Sequence, residues 1–281
     1  MRMDINGTVL EVEDLGDGEP VLLLHGWPDS HEVWRHQITA LGNAGYRTIA
    51  PDLRGFGRSD KPETVASYGM IQMVSDLIGL LDAVGVPRAH VVGHDWGGAI
   101  GAVLSALSPE RVASLTCLSV GHPAAFAAAG WEQREKSWYM LLFQFPGVAE
   151  TWLSQHDFRN LREFVFDQAP EAFPPEDRER YVAALRRDGA LTAALNWYRA
   201  NMPAAAWLRE PPDPPPVTVP TLIIWGEADT NLGITLLERS AATVTGPLRV
   251  ERLPGVSHWV QQQAPEAVNR LLVEFLTAQR S

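Results

Sequence analysis

The sequence predicts an α/β protein, a mostly parallel sheet flanked by helices with an inserted helical cap, and three features carry that reading. Short apolar runs alternate with longer segments of helical spacing. The runs lack the apolar-polar alternation of a half-solvated strand, as strands covered on both faces do. The alternation then stops from about residue 131 to 209 and resumes at 221.

In chain order, "VLLLHG" (21–26), "RTIAPD" (47–52), "AHVVGHD" (89–95) and "SLTCLSV" (114–120) read as buried strands. Between them "HEVWRHQITALGNAG", "YGMIQMVSDLIGLLDAVGV" and "GGAIGAVLSALSPERV" carry helical spacing, with Gly or Pro near their ends. Strands interleaved with helices imply a sheet with helices on both faces. The stretch 131–209 is rich in Trp, Phe and Ala at helical spacing, and "REPPDPPPVTVP" closes it. A segment that long is not a loop of a compact domain, so it is expected to be a cap. The core then occupies 1–130 and 210–281, the second part holding "TLIIWG", "LRVERLPG" and the amphipathic "APEAVNRLLVEFLTAQ".

Composition narrows the function classes. A chain of 281 residues with 46% hydrophobic content buries a sizeable core. Its net charge of −11, without a Lys/Arg cluster, speaks against nucleic acid and against an anionic membrane surface, and favours small or neutral partners. The start, Met1 to Asp4 running into "INGTVLEVEDLG", has no basic and apolar leader, and no apolar run reaches spanning length, so a cytoplasmic protein is expected. The single Cys117 lies in "LTCLSV", where a small buried hydrophobe is expected. No disulfide within the chain and no cysteine metal cluster can form.

The chemistry centres on "VVGHDWGGAI" (91–100), where Gly93, Asp95 and Gly97 stand between a buried strand and a Gly/Ala-rich helix. Small residues two before and two after a nucleophile permit a sharp turn that lifts the central side chain above the sheet. An aspartate after a strand also serves as an ordinary helix N-cap. As a nucleophile, a carboxylate is already ionised near neutral pH and suits displacement at an alkyl carbon. The product is an ester, whose hydrolysis needs an activated water and stabilisation of an oxyanion. Of eight histidines, His258 in "LPGVSHWVQ" follows a late strand, as the base does where the order is nucleophile, acid, base. "LIIWGEADTNLG" offers Glu227 and Asp229 as the orienting acid, and Asp229 is favoured because it lies deeper in the loop. The oxyanion donors are expected to be the backbone N–H groups of Trp96 and, in "LLLHGWPDS", Trp27. His25 and His94 are expected to be structural.

Together "HGWP", "DLRGFGRSD", "GHDWGG", "WGEAD" and "GVSHWVQQQAPEAVN" resemble the soluble epoxide hydrolases of the α/β-hydrolase fold, over nearly the whole chain. The resemblance implies that "SWYMLLFQFPGVAE" and "LNWYRANMP" hold the family's two cap tyrosines, Tyr139 and Tyr198. Opening an epoxide expels an alkoxide, and a phenol with pKa about 10 is protonated at neutral pH and can donate to it. The implied reaction converts an epoxide to a vicinal diol through an alkyl ester on Asp95. It uses a small, mainly apolar epoxide and water, with no cofactor and no metal. Haloalkane dehalogenases share the aspartate, acid and histidine and keep an indole after the nucleophile, which Trp96 matches; they often have Asn where Trp27 stands. Fluoroacetate dehalogenases carry arginine at the Trp96 position. A non-catalytic ligand receptor on the same scaffold is the remaining alternative, since fold alone decides none of these. Trp131, Trp138, Trp152, Trp197 and Trp207 suggest an apolar pocket, although aromatics at this spacing are more often core. Substrate identity and the choice between monomer and homodimer are not legible.

Overall fold

The computed structural model describes residues 1–208 and 215–280, without the side chains of Ala127, Trp207 and Leu208. The chain opens with β1 (Arg2–Ile5) and β2 (Thr8–Leu15), an antiparallel hairpin. Asn6 and Gly7 turn it with φ of 55° and 78°, the pair of left-handed residues that a two-residue hairpin loop needs. These strands add to the sequence expectation, although an Asn-Gly pair is the signal that marks such a hairpin.

There follow β3 (Glu19–Leu24), α1 (Arg35–Asn43), β4 (Tyr46–Pro51), α2 (Met70–Ala83), β5 (Ala89–His94), α3 (Trp96–Leu107) and β6 (Val112–Leu118). Each expected strand is present within a few residues. From Pro123 the described chain is helical: α4 (Pro123–Ala127), α5 (Trp131–Lys136), α6 (Trp138–Leu142), α7 (Val148–Leu161), α8 (Pro175–Leu185) and α9 (Ala190–Asn201). Helix α7 is broken where His156, Asp157 and Phe158 take φ of 51°, 60° and 59°. The core resumes with β7 (Thr221–Gly226), α10 (Ile234–Ala241), β8 (Leu248–Leu253), α11 (Val260–Gln263) and α12 (Pro265–Thr277). Residues 209–214, where the proline-rich segment begins, and the Trp207 side chain lie outside the described residues.

The eight strands form one sheet in the order β1-β2-β4-β3-β5-β6-β7-β8. From β4 through β8 every neighbouring pair is parallel, while β2 joins β4 antiparallel. Every residue of β5 and β7 is buried, which is why both read as unbroken apolar runs. Parallel direction sends the C-terminal ends of β3, β5, β7 and β8 to one edge, so the loops carrying Trp27, Asp95, Asp229 and His258 converge there. Cys117 is buried as expected, and burial pushes its thiol up to about 12, so no thiolate forms near neutral pH. No helix among the described residues is long and apolar enough to cross a membrane.

Candidate active site

Asp95 ends β5 with φ 51° and ψ −124°, left-handed backbone in a residue other than glycine. The glycines either side serve close approach. A Cβ on Gly93 would lie 2.4 Å from the Gly97 carbonyl carbon, and one on Gly97 would lie 2.1 Å from the Leu24 oxygen. The turn therefore presses α3 against β5 and β3, and only the aspartate projects. Its Oδ1 accepts from the Trp27 N–H at 2.9 Å, and its Oδ2 is 3.6 Å from His258 Nε2. Burial disfavours the Asp95 carboxylate, but His258, His94 and the Trp27 amide outweigh it, and its pKa falls below the ordinary value. The Trp96 amide follows directly, at the first position of α3.

His258 Nδ1 is 2.7 Å from Asp229 Oδ2. The other Asp229 oxygen, Oδ1, accepts from the Asn231 and Leu232 amides at 2.8 and 2.9 Å, so the carboxylate is held from both sides. Glu227, the other acid of that loop, instead pairs with Arg252 at 2.7 Å and is half-buried at the surface. Burial opposes a charged imidazole, yet Asp229 and Asp95 outweigh it and raise His258 to about 10. In the resting site His258 is therefore an imidazolium between two carboxylates.

Across the cavity stand Tyr139 on α6 and Tyr198 on α9, ring centroids 6.0 Å apart at 80°. Their hydroxyls interact, and Tyr198 also receives the Trp96 indole. Burial first, then the nearby Asp95 charge, push both phenols well above 10, so both are protonated donors throughout the neutral range. Tyr139, Tyr198, Asp95, His258 and Trp27 line one small cavity, which Phe164, Val165, Asn231 and Trp259 complete.

A family model for the alpha/beta hydrolase fold matches residues 19–265. Over 98% of its length the chain is 36% identical to Epoxide hydrolase A of Mycobacterium tuberculosis, 96% of which it covers. It is 37% identical over 91% of its length to Epoxide hydrolase 3 of Xenopus tropicalis, covering 71% of that protein. The crystal structure of Bacillus megaterium epoxide hydrolase in complex with an inhibitor superposes with a TM-score of 0.90 at 30% identity, over 99% of this chain and all of that one. The chain belongs to the epoxide hydrolases of the α/β-hydrolase fold.

Within this family member the remaining expected residues fall as follows. His25 is structural: Nδ1 donates to the Gly26 carbonyl at 2.8 Å and Nε2 accepts from the Leu53 amide at 2.9 Å. His94 packs behind the site, its Nε2 donating to the His258 carbonyl at 3.1 Å and its Nδ1 facing Asp29 Oδ2 at 3.4 Å. Asp29, fully buried in the "HGWPDS" loop, was legible only as a loop residue; what gives it a task is the Trp259 indole, which also donates to it at 3.3 Å. Trp131, Trp138, Trp152 and Trp197 are not on the lining of either cavity beside Asp95. Trp131 and Trp138 are exposed, and Trp197 is buried against Trp96 and Phe56 with its indole donating to the Arg54 carbonyl. A helical repeat reports which face is apolar and not which neighbour covers it. The apolar surface beside Asp95 comes instead from Met140, Met202, Phe126 and Leu236, and no spacing in the sequence marks them. Among the described residues no cluster of His, Cys, Asp or Glu is placed to hold a metal ion.

Proposed function

We propose that this enzyme opens an epoxide with Asp95 and hydrolyses the resulting ester with His258. The observation that carries the proposal is one carboxylate held between the Trp27 amide and His258 while two protonated phenols face it across a single cavity. Segment 131–209 acts in this reading as the cap that brings those phenols to the core.

In the first step Asp95 Oδ2 attacks a ring carbon, because Oδ1 is engaged by Trp27. The carbon–oxygen bond breaks as Tyr139 and Tyr198 donate to the departing oxygen and one of them gives up its proton. Esterification removes the charge of Asp95. One of the two carboxylates that keep His258 protonated is then gone, so the imidazolium becomes more acidic and passes its proton through the site to the phenolate, which leaves a neutral imidazole just when a base is required. In the second step neutral His258, oriented by Asp229, takes a proton from water as its oxygen bonds to the ester carbonyl carbon. The oxyanion forms on Oδ1, facing the Trp27 and Trp96 amides. Collapse expels the alkyl oxygen, which takes the hydroxyl proton of the intermediate to complete the diol and leaves Asp95 ionised, His258 again an imidazolium and both phenols protonated.

The engagement of the Trp96 indole with Tyr198 supports epoxide opening over halide binding, which would need that N–H for the leaving group. A cytoplasmic location belongs to the same reading and is checked by cell fractionation. The deciding experiment compares diol formation from styrene-type and aliphatic epoxides with halide release from matched alkyl halides. Diol without halide is the expected result; halide without diol would make Asp95 a dehalogenase nucleophile.

A further inference from the structure

A second cavity, about 530 Å³ including its open mouth, leads away from Asp95 and Trp96 on the other side of the nucleophile. Its walls are apolar, with Val120, Phe126, Met140, Met202 and Leu236 facing inward, and Asp95 is the one charged side chain on its lining. Where α10 packs on α4, two polar side chains border it. Ser240 is 2% exposed, and its buried Oγ has no hydrogen-bond partner. It lies so close to the backbone that a Cβ on Gly121 would be 1.6 Å from it, which places the hydroxyl at the Gly121 wall of the cavity. His122, next in sequence, accepts from the Ala124 amide through Nδ1 at 3.2 Å. Its proton therefore sits on Nε2, a donor with no hydrogen-bond partner among the described residues. Burial lowers the His122 pKa, so the ring is neutral at pH 7.

A buried hydroxyl left unpaired is costly and calls for an explanation. We infer that His122 and Ser240 form a polar terminus to the substrate arm and select epoxides whose substituent carries a neutral hydrogen-bond-accepting oxygen. The inference rests on the epoxide-opening reading. A carboxylate is disfavoured as the recognised group because no cation among the described residues borders the cavity and Asp95 repels it. An ammonium would meet the His122 Nε2–H, which donates and cannot accept. An ether, carbonyl or hydroxyl oxygen accepts from both groups without carrying charge into an apolar space.

The test uses terminal epoxyheptane and its analogues in which one chain methylene after another is replaced by oxygen. Wild-type kcat/KM should rise about 3- to 10-fold at one chain position, mainly through KM. Ser240→Ala and His122→Ser should remove that preference, bringing kcat/KM for the favoured oxygen analogue to within about 2-fold of that for the all-carbon epoxide in the same variant; serine keeps the helix cap at position 122. The ratio of wild type to variant cancels the inductive effect of the oxygen on the ring. Tm supplies a readout that a packing role would move: Ser240→Ala should not lower it, since it deletes an unpaired group. A preference absent at every position, or surviving both substitutions, overturns the inference while diol from epoxyheptane still upholds the reaction. If no epoxide is consumed, calorimetry with benzylacetone and butylbenzene separates the two ideas. Tighter ketone binding that depends on Ser240 would uphold the polar terminus and sink the reaction; equal binding would sink both.

Discussion

At Asp95 the backbone is strained and the side chain is shared, with one oxygen on a backbone amide and the other facing an imidazolium. Removing His258 separates the two half-reactions. His258→Gln should form the Asp95 ester at a measurable rate and release diol at least about 100-fold more slowly, the scale of a lost general base. Mass spectrometry of the peptide holding Asp95 would show the adduct; steady diol release by this variant would refute the assignment. The phenols act earlier. Each of Tyr139→Phe and Tyr198→Phe should slow ester formation, and the double variant nearly abolish it, read by single-turnover quench. A double variant with unaltered ester formation would return both rings to packing. The resemblance alone pointed to these tyrosines, because nothing in "SWYML" or "LNWYR" says which way a buried ring faces.

Elements hold those residues by side chains that their own helical pattern does not explain. Gln133 on α5 is 2% exposed and clasps the acid loop from the cap side. Its Oε1 accepts from the Gly233 amide at 2.7 Å, and its Nε2 donates to the Asn231 carbonyl at 2.8 Å. Gln133→Leu leaves both backbone groups unpaired and should cost about 1–3 kcal/mol. The loop it releases carries Asp229, so diol release should slow more than ester formation. Equal slowing of both steps, or an unchanged Tm, would count against this. Helix α9 is fixed to the core in a similar way. Asn201 accepts from the Met70 amide and donates to the Tyr68 carbonyl, and Trp197 donates to the Arg54 carbonyl. Arg54 is in turn held by both Asp76 oxygens at 2.6 Å. The helical spacing of these segments was legible, but the core partners of Asn201 and Trp197 lie more than a hundred residues away in the chain.

The molecule as a whole couples its site to pH and to salt in opposite degrees. His258 is raised to about 10 in the folded protein from an ordinary 6.5. The unfolded chain gives up that proton first, so the stabilisation is complete below about pH 6.5 and disappears as pH rises through about 10. Wild-type Tm should therefore decline across this window, and the decline should be shallower in His258→Gln; superimposable slopes would show that the imidazole is not held charged. Salt should matter little. A net charge of −11 steers charged ligands, but a neutral epoxide feels no long-range field, so kcat/KM should stay within about 2-fold between low and high ionic strength. A steep fall would mean a charged substrate.

By itself the sequence determined the α/β class and pointed to the turn at Asp95, to His258 and, between Glu227 and Asp229, to Asp229. Each of these is a local signal: an apolar run, a glycine spacing, a polar residue just past a strand. It left β1 and β2 unread although Asn6-Gly7 marks their turn, and its reading of the cap tryptophans as more often core than pocket wall fits buried Trp197 but not exposed Trp131 and Trp138. Only the tertiary structure decided that Asp229 and not Glu227 meets the imidazole, that Asp29 backs His94, and that His122 and Ser240 border the apolar cavity beside Asp95. Those facts depend on which distant side chains converge, and convergence is set by the parallel sheet and the packing of α4 to α10 over its edge. Periodicity records only whether a residue is buried.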